Sequence, residues 1–258
     1  MNGIVKAGIA PVRASASHTA ERVDEVLHGW QVEILSKNNA FFHIRTDYGY
    51  EGFVLADHIE LTSRMPCHNQ LVVTSLLADV VSEPTVRANV LKTLPKGSFV
   101  TPIKTIDNYT SILLPDASAA FVRTDFLSRK AKHIAINPKE MQAHEAELRE
   151  SIVQNAKSYL GTQYRWGGKT SLGIDCSGLT FMAYRLCGID IWRDAHYKEG
   201  FAIRKIDAHL AKQGDLVFYP GHVAMIFSCT KIIHSSNVSN GVTIDNLNSN
   251  FIYFGSIF

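Results

Sequence analysis

The 258-residue sequence predicts an α+β protein: two small β-barrel modules followed by a domain in which a helix packs against an antiparallel sheet. Three observations carry this expectation. The N-terminal half repeats itself without a gap at a spacing of 68 residues. After Arg129 the apolar periodicity becomes helical, and behind a second helix come five short runs rich in β-branched and aromatic residues.

The repeat lays Val12 on Val80, Ala20 on Ala88, Gly29 on Gly97, Val32 on Val100, Ile44 on Ile112, Phe53 on Phe121, Val54 on Val122 and Asp57 on Asp125. Within each copy, runs such as "WQVEIL", "FFHIRT" and "EGFVLADHI" alternate between turn residues, the signature of short strands. The order "PVRASAS…AERVDEVLHG…FFHIRTDYGYEGFVLADHI" resembles a bacterial SH3-type (SH3b) domain, and the second copy, from about Leu71 to Ser128, resembles it more weakly. Such modules also serve as spacers or wall-binding domains. The expected boundaries are 1–62 and 70–130 for the two modules and 138–258 for the last domain.

In the last domain Asn137 is a candidate helix N-cap, with Pro138 at the first helical position. Leu148, Ile152, Ala156 and Tyr159 recur on one face, and Gly161 is a stop signal. A second helix is expected from Cys176 to about Cys187, ending at Gly188, with Leu179, Met182, Ala183 and Leu186 toward a core. The runs "DLVFY", "HVAMIF", "KIIH", "VTID" and "IYFGSI" then supply a sheet.

Composition excludes several function classes. With 46% hydrophobic and 19% charged residues the chain can bury a sizeable core, and a net charge of +2 gives no reason to expect nucleic acid. No run approaches the ~20 apolar residues of a spanning helix, and the N-terminus has no apolar signal region, so no membrane partner is expected and a cytoplasmic location is. A secreted chain from which a leader had been removed would read the same way. Cys67, Cys176, Cys187 and Cys229 form no CxxC pair and read as reduced thiols.

Cys176 lies in "GIDCSGL", where a glycine-rich loop becomes a helix. A sulfur at a helix start meets unpaired N–H groups and the positive end of the helix dipole, both of which favour thiolate. His222 opens the strand "HVAMIF" and His234 closes "KIIH"; as hairpin neighbours their imidazoles come within hydrogen-bonding reach, giving nucleophile, base and orienting residue. The competing readings are a structural thiol and a Cys-His-His zinc site, the latter disfavoured because no carboxylate has a clear place near either His. Cys187 and Cys229 are read as buried thiols.

The sequence "YRWGG…GIDCSGL…AYRLCGI" followed by "GDLVFY…HVAMI…KIIHSS" resembles the NlpC/P60 cell-wall peptidases, from about Tyr159 to Phe258. The resemblance implies a compact papain-like catalytic domain with Cys176 as nucleophile, His222 as base and His234 as its orienting residue, and neither metal nor cofactor. With SH3b modules in front and "WRDA" at 192–195, the chain is similar to the γ-D-glutamyl-L-diamino acid endopeptidases that recycle or remodel murein peptides. The expected partner is then a murein-derived L-Ala-γ-D-Glu-diamino acid peptide, bound by a monomer. The backbone N–H of Cys176 and the Tyr164 hydroxyl would form the oxyanion hole. Asp175 reads as helix N-cap or as a neighbour of the substrate amine, Ser177 as a substrate contact or first-turn filler, and Trp166 with Gly167 and Gly168 as the shape of the groove. Asp194 and Ala195 would line the substrate site, and the family places an acid and a tyrosine of the first SH3b module about the free amine of L-Ala. Glu21 and Tyr50 match those places, with Glu25 and Tyr48 as rivals. The chain departs from the pattern at Lys198, where the family carries Gln, and at Ala195. The alternatives are a wall-bound hydrolase, an amidase or acyltransferase on the same scaffold, and a non-catalytic wall-binding protein.

Overall fold

The computed structural model describes residues 1–62, 69–131 and 143–258, and the chain divides into two compact units, Met1–Lys130 and Ala131–Phe258. The expected N-cap at Asn137 and Pro138 lies outside the described residues.

The first unit holds two sheets. One is built from β1 (Asn2–Val5), β2 (Ile9–Arg13), β3 (Arg22–Leu27), β4 (Gln31–Asn38), β5 (Phe41–Thr46), β6 (Glu51–Leu55) and β7 (Ile59–Thr62). The other is built from β8 (Leu71–Val73), β9 (Leu77–Val81), β10 (Val90–Pro95), β11 (Phe99–Ile106), β12 (Tyr109–Leu113), β13 (Ala119–Arg123) and β14 (Leu127–Arg129). Their strand orders, β3-β2-β6-β5-β4-β1-β7 and β10-β9-β13-β12-β11-β8-β14, are the same path repeated. Each path has two ends, and among the described residues no pairing joins β3 to β7 or β10 to β14, so backbone hydrogen bonds do not close the expected barrels.

The 68-residue spacing is the spacing of the core. Val5, Ala10, Val12, Val26, Val32, Ile44 and Val54 are buried at the positions of Val73, Ala78, Val80, Leu94, Val100, Ile112 and Val122 in the second copy. Turn geometry repeats too: Gly29 and Gly97, and Asn39 and Asp107, all have positive φ. A Cβ on Gly29 would collide with the Phe99 carbonyl, which ties the first copy to the second. There the Trp30 indole donates to the Gly97 carbonyl at 2.8 Å and stacks on Phe99, while Phe99 N–H donates to the His28 carbonyl at 2.8 Å.

Among the described residues the second unit contains α1 (Glu145–Lys157), the two-residue strands β15 (Lys169–Thr170) and β16 (Gly173–Ile174), α2 (Cys176–Arg185), and a sheet ordered β17-β22-β18-β19-β20-β21. These are β17 (Arg204–Ile206), β18 (Leu216–Tyr219), β19 (His222–Ser228), β20 (Lys231–Ser236), β21 (Gly241–Asn246) and β22 (Tyr253–Ser256). All five expected strands form. The edge strand β17 was not expected, because its three residues "RKI" are too few to show alternation.

Two helix expectations need correction. In α2, Leu179, Phe181, Met182, Ala183 and Tyr184 are all fully buried while Leu186 is only half-buried: this is a central helix, covered on every side, rather than an amphipathic one. In α1 the inward row includes Arg149, whose guanidinium donates to the buried Asp215 carboxylate at 2.9 Å and the Gln213 carbonyl at 2.7 Å. Asp215 also accepts from Ser256 Oγ and from the Lys212 N–H, so the "GDL" motif is a structural knot joining helix, sheet and C-terminus.

Candidate active site

Asp175 caps α2, its Oδ1 accepting from the Gly178 N–H at 2.6 Å. The other carboxylate oxygen accepts from the Gly167 N–H at 2.8 Å, which fixes the "WGG" loop against the helix start. A Cβ on Gly178 would collide with the Gly168 carbonyl, so the small residues here serve backbone contact with one another. The guanidinium of Arg193, 1% exposed, spans the same carboxylate at 3.1 and 3.0 Å and donates to Ser177 Oγ at 2.7 Å. The carboxylate of Asp175 and the hydroxyl of Ser177 are thereby both bonded to Arg193. Both hold the helix start in place.

This node puts Cys176 at the first turn of α2, 6% exposed, with its sulfur beside the backbone N–H of Val223 on β19. The expectation of a ready thiolate is not met. Burial, reinforced by the Asp175 charge, pushes the thiol above its ordinary value, and the Val223 and Ser177 amides and Arg193 oppose this only in part. His222 moves the other way, down to about 4, through burial and then the neighbouring His234. Both shifts favour the uncharged form of the group concerned.

The imidazoles meet as the strand reading required. Only Pro220 and Gly221 separate the paired Tyr219 and His222, a two-residue turn in which Gly221 takes φ +67°. β19 and β20 pair with Met225 opposite Ile233, and β20 and β21 with His234 opposite Thr243. His222, His234 and Asp245 thus run diagonally over one face of three adjacent strands. His222 Nε2 lies 2.8 Å from His234 Nδ1, and His234 Nε2 lies 2.9 Å from Asp245 Oδ2. Asp245 is the carboxylate for which the sequence offered no clear place. Both His234 nitrogens are engaged in this line instead of converging with Cys176 on a common point, and among the described residues no group of His, Cys, Asp and Glu is disposed to hold a metal ion.

Tyr164 is half-buried, and its hydroxyl is pushed up to about 12 by burial and then by Cys176 and Asp175, so it remains a hydrogen-bond donor. Trp166 is 59% exposed at the surface of the same loop. Next to Val223 opens a pocket lined by Thr180, Ile191, Trp192, Asp194, Lys198 and Phe218 among others. Asp194 is its acidic residue, Ala195 is half-buried beside it, and Lys198 Nζ sits 3.5 Å from the centre of the Trp192 ring. In the first unit Glu21 is exposed and Tyr50 half-buried. Of their rivals, Tyr48 is buried and donates to Asp24 at 2.6 Å, and Glu25 is buried against Arg22 at 3.3 Å. Cys187 is half-buried with the Asn155 amide at 3.3 Å. Cys229 is exposed in the turn after β19, which corrects its reading as a buried thiol.

Sequence reasoning missed Arg193 and Asp245. Arg193 stood inside "WRDA" with nothing to show that it turns inward, whereas Asp245 was signalled by its place two residues past the partner of His234.

The sequence profile of the NlpC/P60 family matches residues 161–254, and that of the bacterial SH3 domain matches residues 9–60. A dipeptidyl-peptidase 6 of Lysinibacillus sphaericus is 38% identical over 256 residues, covering 96% of this chain and 92% of that protein. A gamma-D-glutamyl-L-lysine dipeptidyl-peptidase of Bacillus cereus is 36% identical over 110 residues, 39% of this chain, and the chain spans only 32% of that relative's length. In fold, the crystal structure of an NlpC/P60 family protein from Bacillus cereus superposes with a TM-score of 0.82 over 98% of both chains at 16% identity. With a relative matched along nearly its whole length and the family's profile lying across the Cys176 helix and the His222 and His234 strands, the chain belongs to the NlpC/P60 family.

Proposed function

We propose that this cysteine peptidase hydrolyses the bond between γ-D-glutamate and the following diamino acid in murein-derived peptides that carry a free N-terminal L-Ala. The observation that supports it most is the Cys176 thiol set against Val223 N–H at the head of a His222–His234–Asp245 line, in a chain resembling a dipeptidyl-peptidase from end to end.

As the Cys176 sulfur attacks the γ-glutamyl carbonyl, its proton passes to His222 in the same step, so that a separated thiolate–imidazolium pair does not have to form beforehand in the buried site. The oxyanion is met by the Cys176 N–H and the Tyr164 hydroxyl. His222 returns the proton to the leaving amine of the diamino acid, and a thioester remains. Water, deprotonated by His222, cleaves the thioester, releasing L-Ala-D-Glu and restoring the thiol.

Asp194 supplies a carboxylate for the free amine from within the pocket, since a buried ammonium needs an anionic partner. On the family resemblance we assign Glu21 and Tyr50 to the same selection, and read residues 70–130 as a second SH3b module, repeating the strand path of the first. Such a site favours released peptides over intact wall, where that amine is an amide. This fits a recycling enzyme acting in the cytoplasm.

The test compares L-Ala-γ-D-Glu-meso-diaminopimelate with its N-acetyl form by mass spectrometry, in wild type and in Glu21→Gln. One lost charge-assisted bond is worth about 1.5 to 3 kcal/mol, so acetylation should cost at least roughly tenfold in kcat/KM. Equal rates on the two peptides would put wall hydrolysis in front, and no release of L-Ala-D-Glu would favour an amidase or acyltransferase.

A further inference from the structure

We propose that Asp245 is a positioning residue of the catalytic line: by accepting from His234 Nε2 it dictates which nitrogen of His222 carries the proton. The inference rests on the assignment of Cys176, His222 and His234 to catalysis and deepens it.

The argument is one of donors and acceptors. An ionised carboxylate can only accept, so at 2.9 Å Asp245 Oδ2 requires the proton of neutral His234 to be on Nε2. His234 Nδ1 is then a lone pair, and at 2.8 Å it can only accept from His222 Nε2–H. His222 is left with a bare Nδ1, the form able to take a proton from Cys176. Without the carboxylate the whole line can reverse: His234 Nδ1–H donates to His222 Nε2, and His222 presents Nδ1–H to a thiol from which it can no longer take a proton. Asp245 therefore fixes two tautomers in series, from two residues past the partner of His234 on β21.

The same carboxylate also acts on charge. When His222 becomes an imidazolium the positive charge spreads along the line, and an anion at its far end stabilises it. The other groups near the couple are Asp175 and Arg193 beside Cys176, the half-buried Tyr164, and Tyr219, whose ring lies 6.1 Å from that of His222. Asp175 and Arg193 are paired to each other, so their charges largely offset. The side chain of Asp245 is 46% exposed, which weakens its influence relative to a fully buried carboxylate and sets the expected effect at the lower end of what such a residue can do.

The experiment uses the full chain and two readouts that need no substrate. In wild type, nitrogen-15 NMR of the histidines should show His234 protonated on Nε2 and His222 on Nε2. In Asp245→Ala and Asp245→Asn each should become a mixture, while Asp245→Glu should recover the wild-type pattern at least in part. The pH profile of Cys176 carbamidomethylation by iodoacetamide, read at that peptide by mass spectrometry, should move to higher pH in Asp245→Ala, with the rate at pH 7 lowered about tenfold. On L-Ala-γ-D-Glu-meso-diaminopimelate, kcat should fall about tenfold with KM within a factor of two, and the melting temperature should hardly move. Unchanged tautomers and an unchanged alkylation profile in Asp245→Ala and Asp245→Asn would overturn the proposal. So would wild-type kcat in Asp245→Ala alongside a large loss in His234→Ala, an outcome that leaves the three-residue assignment standing. Retained activity in Cys176→Ala would overturn both.

Discussion

Replacing Arg193 by Met takes a cation out of a heavily bonded buried site in the second unit. Its guanidinium meets both oxygens of Asp175 at 3.1 and 3.0 Å, Ser177 Oγ at 2.7 Å and the Gly168 carbonyl at 3.4 Å, with 1% of the Arg side chain and 8% of the Asp side chain exposed. Methionine fills much of the volume but leaves a buried carboxylate without its counterion, and breaking such a pair costs about 3 to 5 kcal/mol. Against a domain stability of about 5 to 15 kcal/mol this is a large fraction, equivalent to a fall in melting temperature on the order of 10 °C or more. Activity should fall as well, because Arg193 is one of the groups that hold the Cys176 thiol down against burial and Asp175. The assay is calorimetry of the full chain, with the Arg193→Met, Asp175→Asn double variant completing the cycle. The double variant has no buried unpaired charge and should lose less than the sum of the singles, by a coupling of about 1 to 3 kcal/mol. A shift below about 3 °C in Arg193→Met, or strict additivity in the cycle, would refute the account of this node.

The pH dependence follows from the couple. His222 must be neutral to act as base, and since burial holds it at about 4 in the free enzyme, the acidic limb of kcat/KM should lie near pH 4; at pH 5.5 such a group is roughly 97% neutral, against about 10% for an ordinary imidazole. A limb between pH 6 and 7 would show that His222 is not held down as the structure indicates. If the Tyr164 hydroxyl, which stays protonated over the working range, donates to the developing oxyanion as proposed, Tyr164→Phe should lower kcat by about tenfold to a thousandfold with little change in KM. Equal losses in kcat and rises in KM would instead make it a ground-state contact.

Much of the fold was legible because it rests on apolar spacing. Val32 and Val100, or Ile44 and Ile112, are read from the sequence as repeats and found in the structure as core, since a sheet face tolerates little but aliphatic residues there. His222 and His234 were legible for a similar reason, as His222 opens β19 and His234 lies within β20, strands whose register follows from their neighbours. Arg193 was not. Charged residues in loops are mostly solvated, and only the three-dimensional position of Asp175 turns this one inward. The state of Cys176 was misjudged because the helix start can be read from "IDCSG" whereas the burial that outweighs it cannot.

The same contrast separates scaffold from chemistry within the repeat. Positions that build the core are kept between the copies: Val5 and Val73, Val12 and Val80, Val54 and Val122. Four polar and aromatic positions of the first copy are not, for Glu21 becomes Asn89, Asp24 becomes Lys92, Tyr48 becomes Asp116 and Tyr50 becomes Ser118, although Phe53 and Asp57 recur as Phe121 and Asp125. A spacer would need only the shared core, and two binding modules of one specificity would need the same polar set twice. On the proposal that Glu21 and Tyr50 select the free amine, this contrast assigns that selection to the first copy and not to the second. The second supplies the surface on which the Trp30 indole and the Gly29 turn are held, through the Gly97 and Phe99 carbonyls. Transplanting Glu21 and Tyr50 as Asn89→Glu and Ser118→Tyr into a Glu21→Gln, Tyr50→Phe chain should therefore leave discrimination between free and acetylated peptides lost; its return would mean the copies are equivalent and that position in the chain, rather than the side chains, is immaterial.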